Sequence, residues 1–229
     1  MPKSTKAIKI TDKNKAWNKK SKPSLYRVDS IPLNKTILIV CEGQTEKLYF
    51  ESFPVIGARI KIVDLEGQSK LKLIELAQAI VESIEGITFD EIWCVFDMDV
   101  KHGADEFADF DNAIHKALEL GYKVAYSNDV FELWFYLHYD FTDAQHLRTF
   151  YYERLSERFK INYVKEGKKR GFSSRIYSIL HQDKNSSQQK AIERAKKLYE
   201  DRKNLVYHEQ NPVTKVYELV ELLNDNLRR

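Results

Sequence analysis

Three unbroken apolar runs, each followed by acidic residues, constrain the fold of this chain more than any other feature of its sequence. The runs lie at residues 37–40, 93–96 and 124–126, and none of them alternates apolar with polar positions. Such runs are typical of strands that a parallel sheet buries on both faces. With a further strand at 60–63 and helical spacing between the strands, the order is βαβαβαβ. We therefore predict an α/β fold in which helices flank a parallel sheet.

The first 35 residues differ from the rest of the chain in charge. They hold ten Lys or Arg residues against Asp12 and Asp29, a net charge of +8, whereas the remaining residues carry −5. Because the segment has little periodicity, residues 1–35 are predicted to be a basic flexible N-terminal arm. Two interpretations stay open: the arm holds a polyanion against a site poor in positive charge, or it is a solvated tail.

Two further regions are predicted after the arm. Residues 36–140 contain the alternating strands and helices and form the predicted catalytic α/β core. Residues 141–229 show helical spacing and are predicted to pack on that core as a helical C-terminal region. The helices predicted in this region are 143–159, 172–181, 187–202 and 212–227.

Composition and cysteine placement indicate the compartment. No apolar run approaches the ~20 residues of a membrane span, and the N-terminus lacks the apolar core of a signal peptide. Cys41 and Cys94 both lie in predicted strands, which favours buried free thiols in a reducing environment. We predict a cytoplasmic protein with no membrane partner.

Acidic residues follow two of the predicted strands, where a parallel sheet presents its ligand-binding edge. Glu42 follows the first strand, and Asp97 and Asp99 follow the third. Ligands of open α/β sheets bind at the carboxyl ends of strands, so these acids are predicted to share one crevice. Three carboxylates repel one another unless a cation joins them, which predicts a Mg²⁺ site, with Mn²⁺ as the alternative ion. If the backbone stays extended, Asp97 and Asp99 point the same way.

Each of these acids also has a simpler interpretation. Asp97 and Asp99 fit an Asp-rich turn after a strand, and Glu42 with Gly43 fits an ordinary turn. Combining the two motifs in one crevice favours the metal site, because acids buried without a cation are costly.

Three more charged residues are candidates for the same crevice. Glu46, one helical turn after Glu42, is predicted to support metal binding or to stabilise a helix N-terminus. Lys101, just after the aspartates, is a candidate for stabilising phosphate charge, and a solvated loop lysine is the alternative. Glu132 completes the acidic cluster or stabilises the start of its own helix.

A basic stretch with interspersed aromatic residues predicts a nucleic-acid contact. Single-stranded nucleic acid binds where cations meet phosphates and aromatic rings stack on bases. An exposed charged loop between helices is the alternative interpretation. The predicted contact residues are Lys168, Lys169, Arg170 and Arg175.

At the level of whole motifs, the chain resembles known families. Glu-Gly after the first strand and Asp-x-Asp after the third are similar to the Toprim domain of topoisomerases, primases and several nucleases. Over residues 36–223 the segments ILIVCEGQTEKLYF, WCVFDMD, YSNDVFELWFYLHY and NPVTKVYELV resemble the RloB/AbiLii family of phage-defence proteins. One departure is Asp129, which stands where the family pattern has proline after Ser-Asn.

This resemblance implies a fold, a chemistry and a partner. It implies a Toprim-like parallel sheet flanked by helices, followed by a helical C-terminal half. Glu42 would be the general acid/base or a second-metal ligand, and Asp97 and Asp99 would be Mg²⁺ ligands. The implied role is a nuclease effector of abortive infection that works with an ABC- or AAA-type ATPase.

Our interpretation is a Mg²⁺-dependent nuclease that cleaves RNA phosphodiester bonds, with tRNA as a candidate and DNA as the alternative substrate. A phosphatase of the haloacid-dehalogenase type also uses Asp-x-Asp, but near the start of its core and with a late acidic pair that this chain lacks. A topoisomerase needs a tyrosine in a separate large domain, for which there is no room. A non-catalytic nucleic-acid-binding regulatory subunit stays an alternative from another class.

Overall fold

The computed structural model describes residues 35–65, 69–99 and 104–227. The predicted basic arm lies outside the described residues except for Lys35, which begins the first strand. The predicted boundary between the core and the C-terminal region, at residue 140, stays a prediction.

The sheet has five strands, four of them parallel. In chain order they are β1 Lys35–Cys41, β2 Ala58–Asp64, β3 Glu91–Asp97, β4 Lys123–Asn128 and β5 Val213–Thr214. Their order across the sheet is β2-β1-β3-β4-β5, and β5 runs antiparallel to β4. The α/β fold with a parallel sheet, predicted from the apolar runs, is confirmed.

Helices fill the connections and the C-terminal half. Their bounds are α1 Gln44–Glu51, α2 Lys70–Ser83, α3 Ala104–Glu119, α4 Glu132–Leu137, α5 Arg148–Phe159, α6 Arg170–Ser173, α7 Ile176–Gln182, α8 Gln188–Arg202 and α9 Val216–Asp225. A π-helical turn at Tyr163–Gly167 and a 3₁₀ turn at Tyr207–Glu209 complete the set. The predicted helical C-terminal half is confirmed.

Several predicted helix bounds in this half are wrong. The predicted helix 212–227 begins with β5 instead, because Val213 and Thr214 pair with the outer edge of β4. The Oγ atoms of Ser127 and Thr214 lie 2.8 Å apart across that pair. The segment predicted as helix 172–181 is divided between α6 and α7, and helix 143–159 begins only at Arg148.

Both faces of the sheet are covered, which explains why its strands are apolar without alternation. Odd positions of β1, such as Ile37 and Ile39, pack with α1, α4, α5, α8 and α9. The even positions Leu38 and Val40 pack with α2 and α3 on the other face. Both cysteines are buried free thiols, as predicted. Among the described helices, none is both long and apolar enough to cross a membrane.

An aromatic cluster fixes α4 against α1. Trp134 is fully buried, and its Nε1 donates a hydrogen bond of 2.8 Å to the hydroxyl of Tyr49. The Tyr49 ring meets Phe131 and Phe135 edge to face, a favourable arrangement for aromatic pairs. Trp134 is therefore a core residue. These contacts position Glu132, the first residue of α4, at the end of the sheet.

The N-terminus of α2 is stabilised by a side-chain cap. The Ser69 Oγ accepts a hydrogen bond of 3.2 Å from the amide of Lys72. Ser69→Ala is expected to lower the free energy of unfolding by about 1 kcal/mol, because that amide loses its partner. Urea denaturation measures the loss. Ser178→Ala, at an exposed position within α7, is the control and should change stability by less than about 0.5 kcal/mol.

Candidate active site

The first two predicted ligands meet where the strand order reverses. From β1 the chain runs outward to β2 and then returns to β3 on the other side, which opens a crevice between β1 and β3. Glu42 follows β1 directly, and its amide donates a hydrogen bond of 2.9 Å to the carbonyl of Val95. The amide of Asp97 in turn donates to the Glu42 Oε2 at 3.2 Å. The ends of two neighbouring strands thus place these carboxylates together.

A cleft of about 370 Å³ lies over this edge of the sheet. Five of its side chains are acidic and come from four places in the chain: the end of β1, α1, the end of β3 and α4. The residues that line the cleft are Glu42, Gly43, Gln44, Thr45, Glu46, Asp97, Asp99, Glu132, Arg148 and Lys168. The structure therefore brings together four of the five predicted catalytic residues, and the fifth, Lys101, lies outside the described residues.

The two aspartates engage different partners. Strand β3 ends at Asp97, and Asp99 has a positive φ of 50°, in the left-handed region. The extended backbone assumed in the sequence analysis therefore does not hold at Asp99. The Asp97 Oδ2 accepts a hydrogen bond of 3.2 Å from the amide of Phe131, whereas the Asp99 Oδ1 lies 2.7 Å from the guanidinium of Arg148.

Arg148 is a cleft residue that the sequence analysis missed. It is the first residue of α5, in a segment with no recognisable motif. Its guanidinium also lies 3.2 Å from the buried Asp129 Oδ1, and its amide donates to the other oxygen of Asp129 at 3.0 Å. Asp129, the residue that departs from the family pattern, therefore anchors Arg148 beside Asp99. Burial opposes its charge, but Asp97, Asp129 and Asp99 together raise the pKa of Arg148 above its usual value.

Glu132 and Lys168 form a second charged pair in the cleft. Glu132 is 1% exposed, and its Oε1 accepts from the Tyr163 hydroxyl at 3.3 Å and lies 3.7 Å from the Lys168 Nζ. Its other oxygen, Oε2, is buried and has no hydrogen-bond partner in the described part of the chain. The Lys168 Nζ also lies over the Tyr152 ring, 5.1 Å from its centroid. Lys168 thus has contacts with both a carboxylate and an aromatic face.

The other predicted nucleic-acid contacts do not line the cleft. Lys169 precedes α6 and Arg170 begins it, while Arg175 precedes α7 and donates from its Nε to the Gly171 carbonyl at 2.9 Å. All three side chains are exposed. They lie in the same segment as Lys168, so this basic segment has one member in the cleft and three on the surface.

The acids of the cleft are incompletely compensated. Burial, followed by the Glu132 and Glu42 carboxylates, raises the pKa of Glu46 to about 7. Loss of hydration, together with Glu42 and Glu46, raises the pKa of Asp97 well above its ordinary value. The pKa of Glu42 is also raised by burial, although Lys70, with its Nζ 3.8 Å away, opposes the shift. Crowded carboxylates with raised pKa values are common at functional sites.

The donor set fits a hard divalent cation in its chemistry. Carboxylate oxygens are the ligands that Mg²⁺ and Mn²⁺ take, and the buried Glu132 Oε2 lacks a partner. In the ranges that the structure describes, however, no three His, Cys, Asp or Glu side chains are arranged to hold one metal ion. Asp99 instead pairs with Arg148, and Glu132 with Lys168. A divalent cation would therefore have to draw acids away from basic side chains.

Gly43 leaves room for the carboxylate of Glu46. A Cβ at this position would lie 2.8 Å from the Glu46 Oε2, so the carboxylate would have to move. Gly43→Ala is expected to keep the fold, with the free energy of unfolding lowered by no more than about 1 kcal/mol, because the backbone at this N-cap is extended. The change should disturb the cleft and lower any activity located there.

Urea denaturation and an assay of nucleic-acid cleavage check this prediction. Gly171→Ala is the matched control, because nothing lies within 4 Å of the Cβ that it would add. Equal cleavage by the Gly43 and Gly171 variants would contradict a role for the Glu46 carboxylate in the site.

The sequence matches a model of a known protein family. A model described as RloB-like protein matches residues 37–223. The matched region contains the cleft residues described above and most of the helical C-terminal half. No curated protein and no solved structure matches the chain.

Proposed function

This chain belongs to the RloB-like protein family, and from that premise and its acidic cleft we propose that it is a Mg²⁺-dependent nuclease of the Toprim type. The observation that carries the proposal is the meeting of Glu42, Asp97 and Asp99 with Glu46 and Glu132 at one end of the sheet. A cluster of acids where the strand order of a parallel sheet reverses is suited to bind a divalent cation, and the cation could in turn bind a phosphate group.

The cleft residues divide the chemistry among them. Asp97 and Asp99 would hold the metal ion, which when bound neutralises charge on the scissile phosphate and positions a water. The raised pKa of Glu42 suits proton transfer, so Glu42 would deprotonate the nucleophile or protonate the leaving oxygen. The alternative role for Glu42 is to hold a second ion. Glu46 would support the metal-binding acids.

The proposed substrate is RNA, with tRNA as the first candidate, and the proposed setting is the cytoplasm. A defence effector of this size can stop growth by inactivating one RNA, which fits abortive infection. The resemblance to the phage-defence family further suggests an ATPase of the ABC or AAA type as partner. DNA is the alternative substrate for the same chemistry.

Expression in cells tests the function. Growth and RNA integrity are compared for the wild type, Glu42→Ala and Asp97→Ala, each with and without the gene next to it in its genome. Discrete RNA fragments that appear with the wild type and vanish in both variants support a metal-dependent ribonuclease. Fragmented DNA with intact RNA would identify DNA as the substrate and would be consistent with the same metal-dependent mechanism. Growth arrest that persists in both variants would overturn the nuclease and favour a non-catalytic binding subunit.

A further inference from the structure

Two basic side chains from outside the strand-end motifs form ion pairs with acids of the cleft. Arg148 reaches Asp99 at 2.7 Å from the start of α5, and Lys168 reaches Glu132 at 3.7 Å from the segment before α6. A carboxylate that pairs with a guanidinium or an ammonium group offers fewer lone pairs to a metal ion. The same acids are candidates for cation binding, so a bound cation and these basic side chains would compete for the same carboxylates.

We infer that Arg148 and Lys168 compete with a divalent cation for these acids, and that the phosphates of the nucleic acid bind the two side chains once the cation has taken their partners. The inference rests on the proposed function and adds the regulation and substrate positioning of the same site. It assigns Arg148 and Lys168 as phosphate-positioning residues.

Each side chain has a second anchor that would keep it at the cleft after the exchange. The guanidinium of Arg148 contacts Asp129, which is 1% exposed and lies away from the predicted metal ligands in sequence. With five N–H donors, a guanidinium can keep one carboxylate and still bind phosphate through its remaining donors. Lys168 keeps its place over the Tyr152 ring, and about half of its side chain is exposed to an incoming ligand.

The arrangement couples metal binding to substrate binding. A metal ion that binds Asp99 or Glu132 frees the paired basic side chain to bind phosphate. A phosphate that binds Arg148 or Lys168 likewise frees the paired carboxylate to bind metal. By linkage, each ligand must raise the affinity of the other by the same factor. The protein should therefore bind nucleic acid poorly without a divalent cation, although its cleft contains an arginine and a lysine.

Metal and RNA affinities, measured separately, test the inference without relying on turnover. Mn²⁺ binding is followed by calorimetry, and binding of a labelled single-stranded RNA is measured with Ca²⁺ present. Arg148→Met is expected to bind Mn²⁺ about tenfold more tightly, because Asp99 loses its competitor, and RNA about tenfold more weakly. Lys168→Met should likewise bind Mn²⁺ more tightly and RNA more weakly than the wild type.

Arg154→Met is the matched control. Arg154 lies on the same helix and pairs with Glu157 on the exposed surface, so its removal should leave both affinities unchanged. Because Arg148 also pairs with the buried Asp129, Arg148→Met is accompanied by the double variant Asp129→Asn/Arg148→Met, which removes the buried negative charge together with the guanidinium that balances it. Thermal denaturation shows which of the two is folded.

The possible results separate this inference from the proposed function. Tighter Mn²⁺ binding together with weaker RNA binding supports the exchange. Unchanged Mn²⁺ affinity in all folded Arg148 and Lys168 variants overturns the exchange, even if the wild type cleaves RNA and the Asp97 variant does not. Absence of Mn²⁺ binding by the wild type and by every variant overturns both the exchange and the metal-dependent nuclease.

Discussion

Asp97→Asn is expected to reduce the proposed nucleic-acid cleavage by about 10³-fold or more, because an amide cannot replace a charged metal ligand. Asp97 lies at the end of β3, where its backbone amide donates to the Glu42 Oε2 and its side-chain Oδ2 accepts from the Phe131 amide. Because the substitution keeps the shape of the side chain, the fold should persist. Initial rates over a range of Mg²⁺ concentrations measure the loss.

An aspartate at the same edge of the sheet provides the control. Asp64 ends β2, is exposed to a similar degree as Asp99, and pairs with Lys47 at 3.3 Å outside the cleft. Asp64→Asn should cleave within about twofold of the wild type, because neither Asp64 nor Lys47 lines the cleft. If Asp97→Asn cleaved as fast as Asp64→Asn, Asp97 would not be a metal ligand of this reaction.

Glu46→Gln is expected to stabilise the protein at pH 8 by up to about 3 kcal/mol, because the pKa of Glu46 is about 7 in the folded protein and 4.5 in the ordinary case. The folded state binds this proton more tightly than the unfolded state does. The loss of folding stability caused by the charged carboxylate is therefore absent below pH 4.5, grows as the pH rises, and reaches its full size above pH 7. The stability gain from Glu46→Gln should follow the same course and vanish near pH 4.5.

Urea denaturation of both proteins at pH 5 and pH 8 measures this difference. Glu51→Gln, at the exposed end of the same helix, is the control for loss of a carboxylate outside the cleft. A divalent cation bound by the cleft would stabilise the charged Glu46, so added Mg²⁺ should reduce the difference at pH 8. Equal gains at pH 5 and pH 8 would contradict the raised pKa of Glu46.

Local sequence patterns were sufficient to predict the parallel part of the sheet. Strand β3, Glu91–Asp97, contains the unbroken apolar run at 93–96 and ends at the aspartate that follows this run. Strand β5 could not be predicted in this way. It has two residues, directly follows Pro212 and begins a segment whose apolar spacing fits α9, so only its pairing with β4 identifies it as a strand.

The candidate site was predictable where it consists of motifs at strand ends. Glu42 and Asp97 follow apolar strands, and the topology of a parallel sheet brings such positions together. Arg148 was missed because its role depends on contacts with Asp99 and Asp129, far from it in sequence, and no spacing rule reports them. The orientation of Asp99 was also missed. Its prediction assumed an extended backbone, whereas the strand ends at Asp97 and the backbone at Asp99 is left-handed.

The sheet cannot be completed until the edge strand β5 has been synthesised, late in the chain. Thr214 pairs with Ser127, which leaves the ribosome 87 positions earlier. At roughly 5–20 residues per second, β4 remains an open edge for about 4–17 seconds during translation. The outer support of the strand that leads to Asp129 thus forms well after the acids have been made. If the chain is the nuclease proposed above, it is made beside the RNA of the ribosome, and this delay would postpone a complete cleft until synthesis has passed well beyond the acidic motifs.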